Sequence, residues 1–68
     1  MRYNEFMKQN ALFQIFDKNG NYTAYQFICA KLKDLKRLGQ EIADANEKCE
    51  VTIESNESFF FFKKPQLL

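Results

Sequence analysis

The sequence of 68 residues contains no histidine, and it has only two cysteines and two glycines. Without histidine there is no side chain that ordinarily serves as a general base at neutral pH or activates a cysteine thiol. Cys29 and Cys49 alone are too few and too far apart to form a tetrahedral metal site. The isolated Gly20 and Gly39 do not form a phosphate-binding loop. We therefore expect a protein that is not an enzyme and that binds no cofactor or metal.

Long apolar runs are also missing from the chain. No segment approaches the roughly 20 apolar residues of a membrane span, and the first ten residues, MRYNEFMKQN, have no apolar signal core. We expect a cytoplasmic protein, without membrane contact, in which both cysteines stay reduced. What the sequence does have is eight Phe and three Tyr. Because so short a chain buries little surface, we expect an aromatic core supported by self-association.

The chain is expected to form one small domain over residues 1–68. Residues 1–10 fit either a short amphipathic helix or an arm. Residues 12–16, LFQIF, are typical of a strand, and the following cluster DKNGN at residues 17–21 is typical of a turn.

Two interpretations of the next segment compete. The pair Asn19-Gly20 favours a β-hairpin with a second strand from Tyr22 to Phe27. Thr23 followed by Gln26 instead matches a capping box that would begin a helix at Thr23.

A stripe with 4-3-4-3-4-3 spacing favours the helix. It consists of Ala24, Ile28, Lys31, Leu35, Leu38, Ile42 and Ala45. This spacing places side chains on one face of a helix. We predict a helix over residues 23–47, and the hairpin with a later helix start remains the alternative. Gly39 then lies inside the helix, where close backbone packing or a kink would account for it.

A β-hairpin is predicted over residues 49–54 and 58–64. The second strand contains four consecutive phenylalanines, and Pro65 ends it. Alternation along a strand places Phe59 and Phe61 on one face and Phe60 and Phe62 on the other.

The predicted fold is α+β, with a three-stranded sheet in the sequence β-α-β-β packed on one long helix. A right-handed crossover makes the first two strands parallel, and a short turn makes the last two antiparallel. In the spatial order 1-3-2, the four phenylalanines occupy the central strand, as their continuous apolar sequence suggests. The helix covers one face of the sheet. The N-terminal segment, a second copy or a target must cover the other.

Charged side chains offer two further candidate surfaces. The basic run consists of Lys31, Lys33, Lys36, Arg37, Lys63 and Lys64 and could contact phosphates. A net charge of +1 gives this interpretation no general support. Glu41, Asp44 and Glu47 oppose the helix dipole and would suit a cationic partner surface.

We expect a protein–protein interaction module and a homodimer. Its most concrete form is an inhibitor or adaptor of a larger protein, of the type carried by phages and mobile elements. The candidate contact residues are Phe59, Phe60, Phe61, Phe62, Glu41, Asp44 and Glu47. The alternatives are a dimeric nucleic-acid-binding regulator that uses the basic run and a structural subunit without independent activity.

Overall fold

The computed structural model describes residues 7–65, which form a four-stranded antiparallel sheet with one helix on one face. The elements are β1 (Lys8–Phe16), β2 (Tyr22–Lys31), α1 (Leu32–Ala45), β3 (Lys48–Ile53) and β4 (Ser58–Phe62). The strands lie in the order β2-β1-β3-β4, and each neighbouring pair is antiparallel. The predicted N-terminal helix or arm lies mostly outside the described residues, and its last three positions belong to β1.

The predicted three-stranded sheet with the order 1-3-2 is wrong, although the fold is still α+β. Residues Tyr22–Lys31 form a strand, so the hairpin interpretation is confirmed and the helix predicted over residues 23–47 begins nine residues later, at Leu32. The added strand β2 runs back alongside β1 before the helix begins. The helix therefore connects β2 to β3, whereas the predicted crossover connected β1 to β3. As a result, β1 lies inside the sheet, and β4 with its phenylalanines forms an edge.

Local turn chemistry explains why a hairpin forms. The Asp17 carboxylate accepts hydrogen bonds from the backbone N–H groups of Asn19 and Asn21, both at 2.9 Å. Gly20 has a φ of 81°, a conformation that glycine adopts without steric cost. Its N–H donates to the Asp17 carbonyl at 3.0 Å. These bonds close the turn locally, whereas a capping box stabilises a helix only if the following residues are helical.

The apolar stripe was misleading because four-residue spacing is ambiguous. Residues four positions apart share a face in a strand as well as in a helix. Ala24 and Ile28 accordingly lie on one face of β2. The Thr23 hydroxyl donates to the Ile15 carbonyl at 3.1 Å across the hairpin and does not cap a helix. The helix begins after Lys31, whose backbone is extended.

The core lies between the sheet and α1. Its buried members are Ala11, Phe13, Leu32, Leu35, Ala43, Cys49, Val51 and Ile53. Alternate residues of β3 supply three of them, while the residues between are only half-buried. Burial, with a smaller effect of Glu50, raises the pKa of the Cys49 thiol to about 11. Cys49 therefore serves as a neutral apolar core residue, while Cys29 is exposed.

Gly39 allows β4 to approach the helix closely. A Cβ atom at this position would lie 2.7 Å from Cδ2 and Cε2 of Phe61 and 3.0 Å from Cγ2 of Val51. The Phe61 ring therefore packs directly against the helix backbone. Close packing, one of the two explanations for this glycine, accounts for its place in α1.

Candidate protein-binding face

The face of the sheet opposite α1 carries a regular array of side chains, which we name the open face. Residues directly opposite each other in antiparallel strands share a face, so the strand registers define its members. They are Lys8, Asn10, Leu12, Gln14 and Phe16 on β1; Tyr22, Tyr25, Phe27, Cys29 and Lys31 on β2; Lys48, Glu50 and Thr52 on β3; and Ser58, Phe60 and Phe62 on β4.

Aromatic side chains dominate the exposed area of this face. The exposed fractions are 51% for Tyr22, 61% for Tyr25, 70% for Phe27, 53% for Phe60 and 60% for Phe62. Full burial of an aromatic side chain removes about 150–250 Å² of its surface from water. At the exposed fractions given above, these five residues together leave on the order of 600 Å² exposed. Single apolar patches of about 300–600 Å² on monomeric proteins are often functional, and here a comparable total is divided between the two outer strands.

Lys48 connects the aromatic side chains at one end of the open face. Its Nζ lies 5.0 Å from the ring centroid of Phe16, 5.2 Å from that of Phe60 and 5.9 Å from that of Phe62. At these distances a cation is attracted to the face of the ring. Tyr22 extends the group across β1, since its ring packs edge-on against Phe16 with the centroids 5.9 Å apart.

The other end of the face contains an open cleft of about 270 Å³. Its lining residues are Asn10, Ala11, Leu12, Phe27, Thr52, Ile53, Glu54 and Asn56. The Asn10 amide donates to the Glu54 carboxylate at 3.1 Å, which holds one wall in place. Beside the cleft, Tyr25 and Phe27 pack edge-on with ring centroids 5.7 Å apart.

The exposed rings border a strip of half-buried side chains on β1 and β3, which we name the trough. Tyr25 and Phe27 rise from β2, and Phe60 and Phe62 rise from β4, the two outer strands. The side chains between them on β1 and β3 are half-buried. The outer strands are three strand spacings, or about 14 Å, apart. Because an α-helix with its side chains is about 10–12 Å wide, the trough has the width of one helix.

The structure divides the four phenylalanines of β4 between two environments. Phe59 and Phe61 pack against the core beneath α1, and the Lys36 ammonium lies 4.7 Å from the centroid of the Phe59 ring. Phe60 and Phe62 point to the open face and are more than half exposed. Of the phenylalanines predicted as contact residues, only these two are available to a partner without disturbing the core.

The acidic candidates near the end of α1 are paired within the chain. The Glu41 carboxylate lies 3.2 Å from the Arg37 guanidinium. The Glu47 carboxylate lies 3.6 Å from the Lys63 ammonium, and the Glu47 carbonyl accepts a hydrogen bond from the Lys63 backbone N–H at 2.8 Å. The Glu47 contacts tie the segment after β4 to the end of the helix, and both ion pairs partly neutralise the charge proposed to attract a partner.

Asp44 also connects the segment after β4 to the end of α1. Its carboxylate accepts hydrogen bonds from the Lys64 backbone N–H at 2.9 Å and from the Gln40 amide at 3.0 Å. The bond from Lys64 is the main cause that lowers the pKa of Asp44. Because the pKa is lowered, this bond favours the fold above the carboxyl's ordinary pKa and weakens as the pH falls through the lowered value.

The basic run does not form a single surface. Lys31 ends β2; Lys33, Lys36 and Arg37 lie on α1; and Lys63 and Lys64 follow β4. Lys36 lies over the Phe59 ring, Lys63 pairs with Glu47, and Arg37 contacts carboxylates on its own helix. A phosphate backbone would have to compete with these contacts.

The open face thus combines exposed aromatic side chains with a few charged and polar ones. Within residues 7–65, no cluster of three or more Cys, Asp or Glu side chains is placed to hold a metal ion. The described part of the chain also has no helix that is both long enough and apolar enough to cross a membrane. No protein-family model, curated protein or solved structure matches this chain.

Proposed function

We propose that this protein is a non-enzymatic, cytoplasmic binding module, an inhibitor or adaptor, whose open face receives an apolar helix of a larger protein. One observation carries the proposal: five aromatic side chains on a single sheet face are 51–70% exposed. A sheet with a helix on one side has a second face to cover, and a helix on that face is a stable solution. The partner's helix would supply this third layer.

The shape of the open face suits such a helix. Tyr25 and Phe27 would contact one flank of the helix, and Phe60 and Phe62 would contact the other. Large aromatic side chains contribute most to binding when a partner surrounds them and excludes water. The half-buried residues of the trough would lie beneath the helix and add contact area.

Lys8 and Lys31 pair at the far end of the open face, and the charge among the aromatic side chains favours an apolar protein surface. Lys48 and Glu50 lie two residues apart on the same side of β3 and carry opposite charges. Single-stranded nucleic acids stack on aromatic side chains as well, but such surfaces combine them with a positively charged groove. The Glu50 carboxylate at the centre of the trough opposes a phosphate backbone. We therefore expect a partner helix with a broad apolar stripe and little net charge.

A displayed library of helical peptides about 20 residues long, roughly 30 Å, tests this function. Selection on the wild-type protein should yield amphipathic helices. The double variant Phe60→Ser/Phe62→Ser should weaken their binding at least about tenfold, which corresponds to about 1.4 kcal/mol. Fluorescence anisotropy measures the dissociation constants. Lys33→Ser changes an exposed side chain on the opposite side of the molecule and should leave binding unchanged.

Three results would overturn the proposal. Selected peptides could bind equally well to the wild type and to the double variant. A random single-stranded oligonucleotide could bind with dependence on Phe60 and Phe62, which would identify the face as a nucleic-acid platform. Peptides could bind only after residues 1–6 are removed, which would make the chain's own N-terminal segment the occupant of the open face.

A further inference from the structure

The two edges of the sheet are protected very differently. β4 is a five-residue edge strand, and it is followed by Lys63, Lys64 and Pro65. Short length, lysine and proline are devices that stop an edge from pairing with another chain. β2 is ten residues long, and its first nine residues, YTAYQFICA, contain no charge, proline or glycine. The outer edge of β2 has such protections only at its two ends, the terminal Lys31 and an irregularity near its start, and its middle has none.

β2 is also the least covered strand of the fold. Its first six residues are exposed, and only Ile28 and Ala30 are half-buried. The two are packed against the core, whereas the strand upstream of them extends beyond it. Pairing with β1 is regular from Ala24 to Lys31, with an irregularity near the start of the strand. No strand within residues 7–65 pairs with the outer edge of β2, so from Ala24 onward this edge offers a row of backbone groups to a second strand.

We propose that β2 pairs with β2 of a second copy of this chain, antiparallel, about a two-fold axis at Gln26. A two-fold axis normal to the sheet places the open faces of both copies on the same side. Directly paired residues then point to the same face, and because residues alternate between the faces, the numbers of two paired residues must differ by an even amount. The axis must then pass through a residue rather than between two residues. Gln26 is the midpoint of the nine uncharged residues, so this register centres the pairing on that segment and places Lys31 beyond it.

The resulting contacts are self-complementary. Tyr25 lies opposite Phe27 of the second copy, and Ala24 lies opposite Ile28. Aromatic pairs at directly opposed positions stabilise antiparallel strands, and these two rings already pack edge-on within one chain. The two Gln26 amides meet at the axis, where each can donate to the other. An isologous contact of this type closes as a dimer.

This dimer uses the edge of the sheet and leaves the open face accessible. It joins two four-stranded sheets into one continuous eight-stranded sheet with both helices on the same side. The two open faces then become adjacent. The inference is therefore independent of the proposed function, although a dimer would present two binding troughs side by side.

A charge-swap experiment tests the register. Gln26 is exposed, so Gln26→Lys and Gln26→Glu should each keep the fold, as circular dichroism can verify. Wild type at micromolar concentration should sediment at twice the 8.1 kDa mass of the chain. Each variant alone should raise the dimer dissociation constant at least about tenfold, because like charges meet at the axis. An equimolar mixture of the two variants should restore the dimer. Gln14→Lys, in the middle of the open face, is the matched control and should dimerise like the wild type.

Other sedimentation results would overturn the inference. One is a wild type that stays monomeric throughout the micromolar range. Another is a dimer that neither Gln26 variant weakens, and a third is a dimer lost in Phe60→Ser/Phe62→Ser instead, which would indicate face-to-face packing. Peptide binding by monomeric Gln26→Lys separates the two proposals. Peptide binding by this monomer together with a wild-type dimer supports both, a wild type that stays monomeric and binds peptides supports the binding function alone, and a wild-type dimer without Phe60-dependent peptide binding supports the edge pairing alone.

Discussion

Phe13→Ala is expected to lower the free energy of unfolding by about 3–5 kcal/mol, the usual cost of deleting a large buried ring. Phe13 is 0% exposed, and it lies on β1, which pairs with both β2 and β3. The loss includes the apolar transfer energy of the ring and the cavity that it leaves. Small domains are stable by only about 5–15 kcal/mol, so the variant should be largely unfolded in mild denaturant. Urea titration followed by circular dichroism measures the change.

Leu12→Ala is the matched control for this result. Leu12 is the preceding residue of the same strand, but it points to the open face and is only half-buried. Its truncation should cost about 1 kcal/mol or less, because little apolar area returns to water. Equal losses for the two variants would contradict a sheet that is covered on one side only.

Gly39→Ala is expected to destabilise the protein by about 1–3 kcal/mol, the typical cost of overpacking a core. The substitution gains about 1 kcal/mol in helix propensity. That gain is outweighed because the new methyl group would lie 2.7 Å from the Phe61 ring. The ring is held between the helix and β3, so β4 or α1 must shift. Each kcal/mol should lower the melting temperature by roughly 4–8 °C in a domain of this size.

Coupling between Gly39 and Phe61 identifies the contact responsible. In a Phe61→Leu background, the smaller side chain leaves room for the methyl group, and Gly39→Ala should cost at least about 1 kcal/mol less. Urea titration of the wild type, the two single variants and the double variant gives this coupling free energy. Additive losses would mean that the helix backbone and β4 do not touch at this position.

The sequence was sufficient to predict elements whose signals act locally. The DKNGN turn and the β3–β4 hairpin follow from turn chemistry and alternation, and the structure contains both. The secondary structure of the β2 segment could not be decided from the sequence, because the spacing of Ala24 and Ile28 fits both a helix and a strand. The strand order depended on that decision, since one extra strand changes which strand the crossover returns to. A pattern confined to one segment does not contain this information.

The candidate site was predicted only in part. Alternation along β4 already separated Phe60 and Phe62 from Phe59 and Phe61, and the need to cover the second face was evident. Tyr25 and Phe27 were missed because their segment was assigned to the helix, where they would not share a face. Lys48 lay between the predicted helix and the predicted strand, although its place in the alternation with Glu50 and Thr52 could have indicated a strand. The acidic and basic candidates were chosen by charge alone, and sequence spacing does not reveal their partners within the chain.

The central claim is that one face of this sheet is covered by α1 and that the other is open and aromatic. Nuclear magnetic resonance with a soluble paramagnetic agent tests it directly, because the agent broadens signals only from protons that it can approach. The ring signals of Phe27 and Phe60 should broaden strongly, while those of Phe13 should stay sharp. Protection of Phe27 and Phe60 to the same degree as Phe13 would contradict the account.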